Sequence, residues 1–267
     1  MFKSEVAMKL LTAIAASALL SLAAHASAMQ CTAASGERRV ALLELYTSEG
    51  CDSCPPTDRW VSGLPARGFD VERLVVLGFH VDYWNYLGWT DPFAQTKFSE
   101  RQRASSARNG VRVVYTPQLL FDGKDYRRGN GPDDFGERIT EANRRAPAAV
   151  ISLQVHPAQE NSLLVNGVVT ISDAAVRHAA QAYVALYENH LSNRIAAGEN
   201  RGKQLQHDFV VRDLAGPFAL AAGNPSGFSH SFRIAHDWKL KDLHVAAFVQ
   251  HSRSGEVMQA LALPHCG

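Results

Sequence analysis

The sequence predicts an α/β fold with a mixed sheet, followed by a C-terminal antiparallel domain that is β-sandwich-like. Up to Pro147, apolar strand-like runs alternate with helix-like segments, and a C-x-x-C motif stands where a strand leads into a helix. From residue 148 onward, short alternating runs are separated by turn residues, a spacing typical of antiparallel sandwiches. We therefore expect one domain over residues 29–147 and a second over residues 148–267.

Residues 1–28 have the pattern of a secretory signal peptide. Lys9 precedes an apolar run over residues 10–24, and the A-S-A of residues 26–28 forms a small-x-small cleavage site. Removal of this segment leaves equal numbers of basic and acidic residues, so charge gives no reason to expect nucleic acid or an anionic membrane as a partner. We expect a periplasmic or secreted protein without a membrane anchor.

The first half contains four predicted strands and three predicted helices. The first strand is almost wholly apolar, which is typical of a central strand. Pro55-Pro56 suits a helix start, because the missing N–H groups of proline would be unpaired there anyway. Asn109-Gly110 suits a helix end, and Asp122-Gly123 suits a hairpin turn. The predicted strands cover residues 40–46, 71–79, 118–121 and 124–128, and the predicted helices cover residues 55–66, 93–109 and 132–145.

This order, β-α-β-α-β-β-α, is that of the thioredoxin fold. In that fold a cis proline precedes the third strand and faces the C-x-x-C, so we expect Thr116–Pro117 to be cis although most X–Pro bonds are trans. The second half adds predicted strands over residues 149–156, 162–171, 180–187, 204–214, 228–234, 243–249 and 256–263.

The C-x-x-C, formed by Cys51 and Cys54, predicts thiol–disulfide chemistry. Unpaired N–H groups and the positive end of the helix dipole stabilise a thiolate at a helix start, so the thiol becomes a usable nucleophile near neutral pH. We expect Cys51 to attack and Cys54 to resolve the mixed disulfide, with no bound cofactor. The remaining cysteines, Cys31 and Cys266, lie at the two ends of the mature chain, and we expect a structural disulfide between them.

Glu44 interrupts the first apolar strand, where a buried carboxylate is costly unless it is paired. In thioredoxin-like proteins an acidic residue near this place takes a proton from the resolving cysteine. Glu44 is therefore a candidate for that role, with a pKa raised by burial. The alternative is a glutamate that reaches solvent or an arginine.

An aromatic segment over residues 80–92, H-V-D-Y-W-N-Y-L-G-W-T-D-P, directly follows the second strand. Ligand groups gather at the carboxyl ends of parallel strands, so His80, Tyr83 and Trp84 are candidates to line a substrate groove with Thr116. Pro117 would shape that groove. The alternative is a packed aromatic loop.

Three spaced motifs, L-E-L-Y-T-S-E-G-C-D-S-C-P-P, F-H-V-D-Y-W-N-Y-L-G-W-T-D-P-F and V-Y-T-P-Q, resemble a bacterial family of secreted thioredoxin-like proteins catalogued as a domain of unknown function. The C-terminal E-N-R-G-K-Q-L-Q-H-D-F-V-V-R also matches its pattern. The resemblance implies the thioredoxin-like fold and leaves the substrate open. The chain departs from thioredoxin in its Asp52-Ser53 dipeptide and in its extra β domain.

The sequence thus favours an exported thiol–disulfide oxidoreductase that acts on a protein or small-thiol disulfide. One alternative is a binding or scaffold module in which the disulfide is structural. Another is a copper-handling protein that uses both cysteines with His80, since thiolates suit Cu(I). A zinc site is not predicted, because no second C-x-x-C or close C-x-x-H supplies further ligands. The His207-Asp208 pair is expected to be structural.

Overall fold

The computed structural model describes residues 31–127, 134–158, 161–220 and 223–263. These residues form a mixed α/β structure that is largely β. The predicted signal peptide and Cys266 lie outside them, so the pairing of Cys266 with Cys31 stays a prediction. Among the described helices, none is long and apolar enough to cross a membrane.

The helices are α1 (Pro55–Ser62), α2 (Thr96–Arg108), α3 (Phe135–Arg144) and α4 (Ala174–His178). The strands of the first half are β1 (Cys31–Ala34), β2 (Ala41–Thr47), β3 (Leu74–His80), β4 (Gln118–Phe121) and β5 (Lys124–Tyr126). Those of the second half are β6 (Val150–Ala158), β7 (Ser162–Thr170), β8 (Ala180–Glu188), β9 (Leu191–Arg194), β10 (Gln204–His207), β11 (Val210–Ala219), β12 (Ser226–Arg233), β13 (Leu243–His251) and β14 (Val257–Ala262).

An eight-stranded sheet runs through both halves in the order β14-β13-β8-β11-β3-β2-β4-β5. Strands β2 and β3 are parallel, as expected of a helical crossover, whereas β4 pairs antiparallel with β2. Strand β11 joins the free edge of β3, where Val210 lies opposite Gly78 and the Gly78 N–H donates to the Phe209 oxygen at 2.7 Å. The sheet therefore continues across the predicted domain boundary after residue 147, because β3 is an apolar strand whose open edge needs a partner.

A second, four-stranded sheet, β1-β6-β7-β12, is antiparallel throughout. Its buried residues, such as Ile151 and Phe232, share one apolar core with Val184 of β8 and Val245 of β13. In the second half two sheets thus face one core, and one of the two is the sheet shared with the first half. The predicted strand 204–214 is broken at Phe209, whose φ of 60° leaves the extended region.

The two ends of the eight-stranded sheet approach each other. The Val257 N–H donates to the Asp122 oxygen at 3.3 Å. Arg39 spans the same gap, because its Nη2 donates to the Val257 oxygen at 2.5 Å and lies 2.8 Å from Asp122 Oδ2. The sheet is thus curled until residues from its opposite edges share hydrogen bonds.

Candidate functional site

The C-x-x-C lies at the start of α1. Strand β2 ends at Thr47, and Cys51 and Cys54 form a disulfide immediately before the helix, whose first turn contains the two prolines. Both cysteines are buried, with 1% and 0% of their surfaces exposed, whereas Asp52 and Ser53 between them are exposed. The predicted position of the motif is confirmed, and the static structure leaves almost no sulfur surface open to solvent.

The three sequence motifs meet beside this disulfide. The Thr116–Pro117 peptide bond is cis, as expected. The Trp84 Nε1–H donates to Thr116 Oγ1 at 2.7 Å, and a Cβ on Gly50 would lie only 3.0 Å from Trp84 Cβ. Trp84 therefore packs between the residue that precedes the C-x-x-C and the residue that precedes Pro117.

Tyr83 faces α2. Its hydroxyl donates to Gln102 Oε1 at 3.0 Å, and burial raises the pKa of Tyr83 above its ordinary value. Tyr83, Trp84, Thr116 and Pro117 are all half-buried. These four predicted groove residues thus keep part of their surface accessible, which a substrate groove requires.

His80 differs from the other predicted groove residues because it is buried. Its Nδ1 lies 2.7 Å from Asp91 Oδ2. Burial alone would lower the pKa of His80, but the carboxylates of Asp91, Asp58 and Glu49 together raise the pKa above its ordinary value. Burial would raise the pKa of Asp91, yet His80 and N–H donors from Glu49 and Phe93 lower it. The two residues form a buried ion pair.

A second buried pair joins the first half of the chain to the second. Glu49 is completely buried and accepts hydrogen bonds from Trp89 Nε1 and Asn193 Nδ2, each at 2.9 Å. His207 Nε2 lies 3.1 Å from Glu49 Oε1, and His207 Nδ1 lies 3.7 Å from Asp58 Oδ2. The His207 and His80 rings contact each other edge to face, with centroids 4.9 Å apart.

Asp58 places part of this network on α1, one helical turn after Cys54. It lies four residues after Cys54, so both side chains are on the same face of α1, with Cβ atoms about 5–6 Å apart. Its Oδ1 accepts from Thr47 Oγ1 at 2.8 Å. Burial raises the pKa of Asp58, against the opposing effect of His207 and His80. We call Glu49, Asp58, His80, Asp91 and His207 the buried acid–histidine cluster.

The cluster contains three carboxyl groups and two imidazoles. Because a buried charge without a partner costs several kcal/mol, each of these side chains needs a polar partner, and each has one within the cluster.

Glu44 lies on the other face of the sheet. Side chains alternate along a strand, so Glu44 and Tyr46 point away from Thr47 and α1. Glu44 accepts from Arg101 Nη2 at 2.5 Å and from the Tyr46 hydroxyl at 2.7 Å. The structure therefore pairs Glu44 with arginine, the alternative left open by the sequence. The carboxyl group on the same side of the sheet as Cys54 is that of Asp58.

Arg101 explains why Glu44 is tolerated in the core. The guanidinium also donates to Gln250 at 3.0 Å and lies over the rings of Tyr183 and Phe248, 4.9 and 5.1 Å from their centroids. Helix α2 thereby connects β2 with β8 and β13 of the second half.

The connection between β9 and β10 binds the backbone around Cys51. Asn200 is completely buried, and its Nδ2 donates to the backbone oxygens of Glu49 at 2.8 Å and Cys51 at 2.9 Å. Glu199 Oε2 accepts from the Asp52 N–H at 3.2 Å. We call residues 195–203 the cover loop.

Sequence reasoning named His80 as a groove residue but missed the other members of the cluster and the cover loop. Glu49 was visible only as part of T-S-E-G-C, and His207 was expected to be structural. The signal that could have identified them is the E-N-R-G-K-Q-L-Q-H-D stretch, which matched the family pattern and contains both Asn200 and His207. Within the described residues, no group of three or more His, Cys, Asp or Glu side chains is arranged to hold a metal ion.

Comparison with known proteins gives a family and a fold. The model of a family described as "Protein of unknown function (DUF1223)" matches residues 42–250. A crystal structure of a protein from Agrobacterium tumefaciens, a structural-genomics target, is 24% identical and covers 85% of this chain and 96% of its own, with a TM-score of 0.60. HBP35 of Porphyromonas gingivalis is 14% identical and covers 85% of this chain and 75% of its own, with a TM-score of 0.62. These identities support a shared fold alone. No curated protein matches the chain significantly.

Proposed function

Because the chain belongs to the DUF1223 family of proteins of unknown function, its role has to come from its site, and we propose that it is an exported thiol–disulfide oxidoreductase. The observation that carries this proposal is the Cys51–Cys54 disulfide at the start of α1, beside the cis Thr116–Pro117 bond. The parallel β2–β3 pair and the antiparallel β4 and β5 around it support a thioredoxin-like arrangement of the first half. The apolar N-terminal segment supports export.

The reaction is exchange through a mixed disulfide. A substrate thiolate attacks the Cys51 sulfur, the Cys51–Cys54 bond breaks, and Cys54 leaves as a thiolate that takes up a proton. A second substrate thiolate then attacks the substrate sulfur of the mixed disulfide and releases Cys51. Two substrate thiols are oxidised to one disulfide while the protein disulfide is reduced to a dithiol. The reverse sequence reduces a substrate disulfide.

Asp58 is the residue best placed to exchange the Cys54 proton. It lies buried one helical turn after Cys54, and its raised pKa favours the protonated form that donates to a leaving thiolate. In the reverse direction the ionised form accepts the proton of Cys54. His207 and Thr47 orient the carboxyl group. Asp58 therefore replaces Glu44 in the proposed mechanism, because Glu44 is neutralised by Arg101 on the far face of the sheet.

One observation favours a second candidate, a scaffold protein with a structural disulfide. Both sulfurs are covered, whereas reactive cysteines are partly exposed. In this alternative, the cover loop and the buried acid–histidine cluster only stabilise the junction between the two halves.

The redox equilibrium of Cys51–Cys54 against glutathione separates the two candidates. The mature protein is equilibrated at defined ratios of reduced to oxidised glutathione, alkylated, and its mass is measured. Ser53→Ala is the matched variant that keeps both sulfurs, and Cys51→Ser is the variant that loses one. A potential between about −270 and −120 mV supports an exchange catalyst. A disulfide that stays oxidised below about −300 mV contradicts the oxidoreductase function and leaves the scaffold.

A further inference from the structure

The cover loop occupies the backbone polar groups on both sides of Cys51. Asn200 donates hydrogen bonds to the carbonyl oxygens of Glu49 and Cys51, and Glu199 accepts one from the N–H of Asp52. A polypeptide lying across the disulfide would have to compete with the loop for these main-chain groups. The loop is therefore in the place of such a polypeptide.

The base of the loop is fixed on the buried Glu49 carboxylate. Asn193 and His207, on the two strands that the loop connects, both contact the buried Glu49 carboxylate. Between these strands, Gly198 and Gly202 have φ values of 73° and 82°, a region that glycine enters without strain. The tip is held over Cys51 by Asn200, whose Oδ1 in turn accepts from Lys203 Nζ at 2.8 Å.

We propose that the cover loop makes the disulfide selective for small thiols over thiols carried by folded proteins, an inference that rests on the oxidoreductase function proposed above. A thiol on a folded protein brings a wide surface to Cys51, so the loop tip has to move and both Asn200 hydrogen bonds have to break. A small thiol displaces less of the loop. Because both hydrogen bonds have to break for a folded protein, we expect the two rates to differ by about tenfold.

The selectivity applies to a balanced exchange. The small thiolate attacks the Cys51 sulfur, the Cys51–Cys54 bond breaks, and Cys54 is protonated. A second small thiolate then releases the small disulfide and leaves the protein as a dithiol. Two small thiols lose two electrons, and the protein disulfide gains them.

The test compares two reductants on the oxidised mature protein. Reduced glutathione is the small thiol, and reduced thioredoxin is the folded protein with an accessible dithiol. The disulfide of the unchanged protein should react faster with glutathione after each rate is corrected for thiolate fraction. Asn200→Ala should raise the rate with thioredoxin by about tenfold or more and change the glutathione rate by less than about threefold.

Two further variants guard against a folding defect. Glu199→Gln alters an exposed side chain and should shift the thioredoxin rate in the same direction by a smaller factor. Arg201→Ala, an exposed residue of the same loop, is the matched control and should leave both rates unchanged.

Three results would overturn the inference. Thioredoxin and glutathione could react equally fast with the unchanged protein, or Asn200→Ala and Glu199→Gln could raise both rates by the same factor. Either result rejects selectivity while the oxidoreductase function stands. If neither reductant opens the disulfide in any of the proteins, the proposed function fails, and the selectivity fails with it.

Discussion

Asp58→Asn is the substitution that separates proton transfer from structure at this site. It replaces a buried carboxyl group by an amide of the same shape, one helical turn after Cys54. Asn keeps an acceptor for the Thr47 hydroxyl, now 2.8 Å from Asp58 Oδ1. At pH values where Asp58 is protonated, the free energy of unfolding should therefore change by no more than about 1.5 kcal/mol, the contribution of one hydrogen bond.

The rate should fall far more than the stability. Without a carboxylate to accept the Cys54 proton, attack of Cys54 on a mixed disulfide should slow by about 10²–10⁴-fold, the usual contribution of a general base. The assay is single-turnover reduction of glutathione disulfide by the dithiol form, quenched by alkylation and read by mass at a series of pH values. The unchanged protein should show a rise in rate through the raised pKa of Asp58, and the variant should lack it.

The same variant has a predictable stability profile. Because the pKa of Asp58 is higher in the folded than in the unfolded state, the folded protein binds more protons between the two values. The unfolding free energy of the unchanged protein should therefore fall as pH rises through that window, by up to about 1.4 kcal/mol per pH unit, relative to the variant. Thr47→Val is the control. It keeps the Asp58 carboxyl group but removes a hydrogen bond that lowers the pKa of Asp58, so the inflection of the stability profile should move to higher pH. A variant whose rate stays within about threefold of the original, with an unchanged pH profile, would refute the role of Asp58.

Three further substitutions test the packing around the site, each by denaturant unfolding. Asp91→Asn leaves His80 without its carboxylate partner and should lower the free energy of unfolding by about 3–5 kcal/mol near neutral pH. Because folding lowers the pKa of Asp91, this loss should shrink as pH falls from about 4 through the lowered pKa, and a loss that does not change with pH would contradict the ion pair. Arg101→Met leaves the buried Glu44 carboxylate of β2 without its partner and should also lower the free energy of unfolding by about 3–5 kcal/mol. A loss below about 1 kcal/mol would show that the ion pair contributes little. Gly167→Ala places a Cβ 2.0 Å from the Phe228 ring and should cost about 1–3 kcal/mol by overpacking, and a neutral result would mean that the ring moves freely.

Local patterns in the sequence were enough for the elements that position the disulfide. The apolar run of β2, the prolines of α1 and the position of Pro117 each carry a short-range signal, and the structure confirms all three. Alternation alone, however, could not tell which face of β2 would meet α1, because β2 is buried on both faces. The sequence therefore left open whether Glu44 serves the cysteines or pairs with an arginine, and the structure pairs it with Arg101.

Long-range pairings account for the rest of what the sequence did not predict. The edge of β3 accepts β11 at Gly78, which is 132 positions before its partner Val210 in the register. Nothing in either segment specifies the other, since an apolar strand pairs with any strand of suitable shape. The same long-range pairing brings His207 to Glu49, so a histidine that looked structural in its own strand became part of the buried acid–histidine cluster.

The position of the cover loop in the chain has a consequence for the order in which the protein matures. Cys51 and Asn200 are 149 positions apart, and the ribosome makes the N-terminal half first. The newly made C-x-x-C therefore exists for a time with no chain available to cover it. An oxidant that arrives before β9 and β10 have paired meets an open pair of thiols, whereas one that arrives after they have paired meets a closed pair. In the folded protein the cover loop thus limits access to the C-x-x-C, which the incomplete chain leaves open.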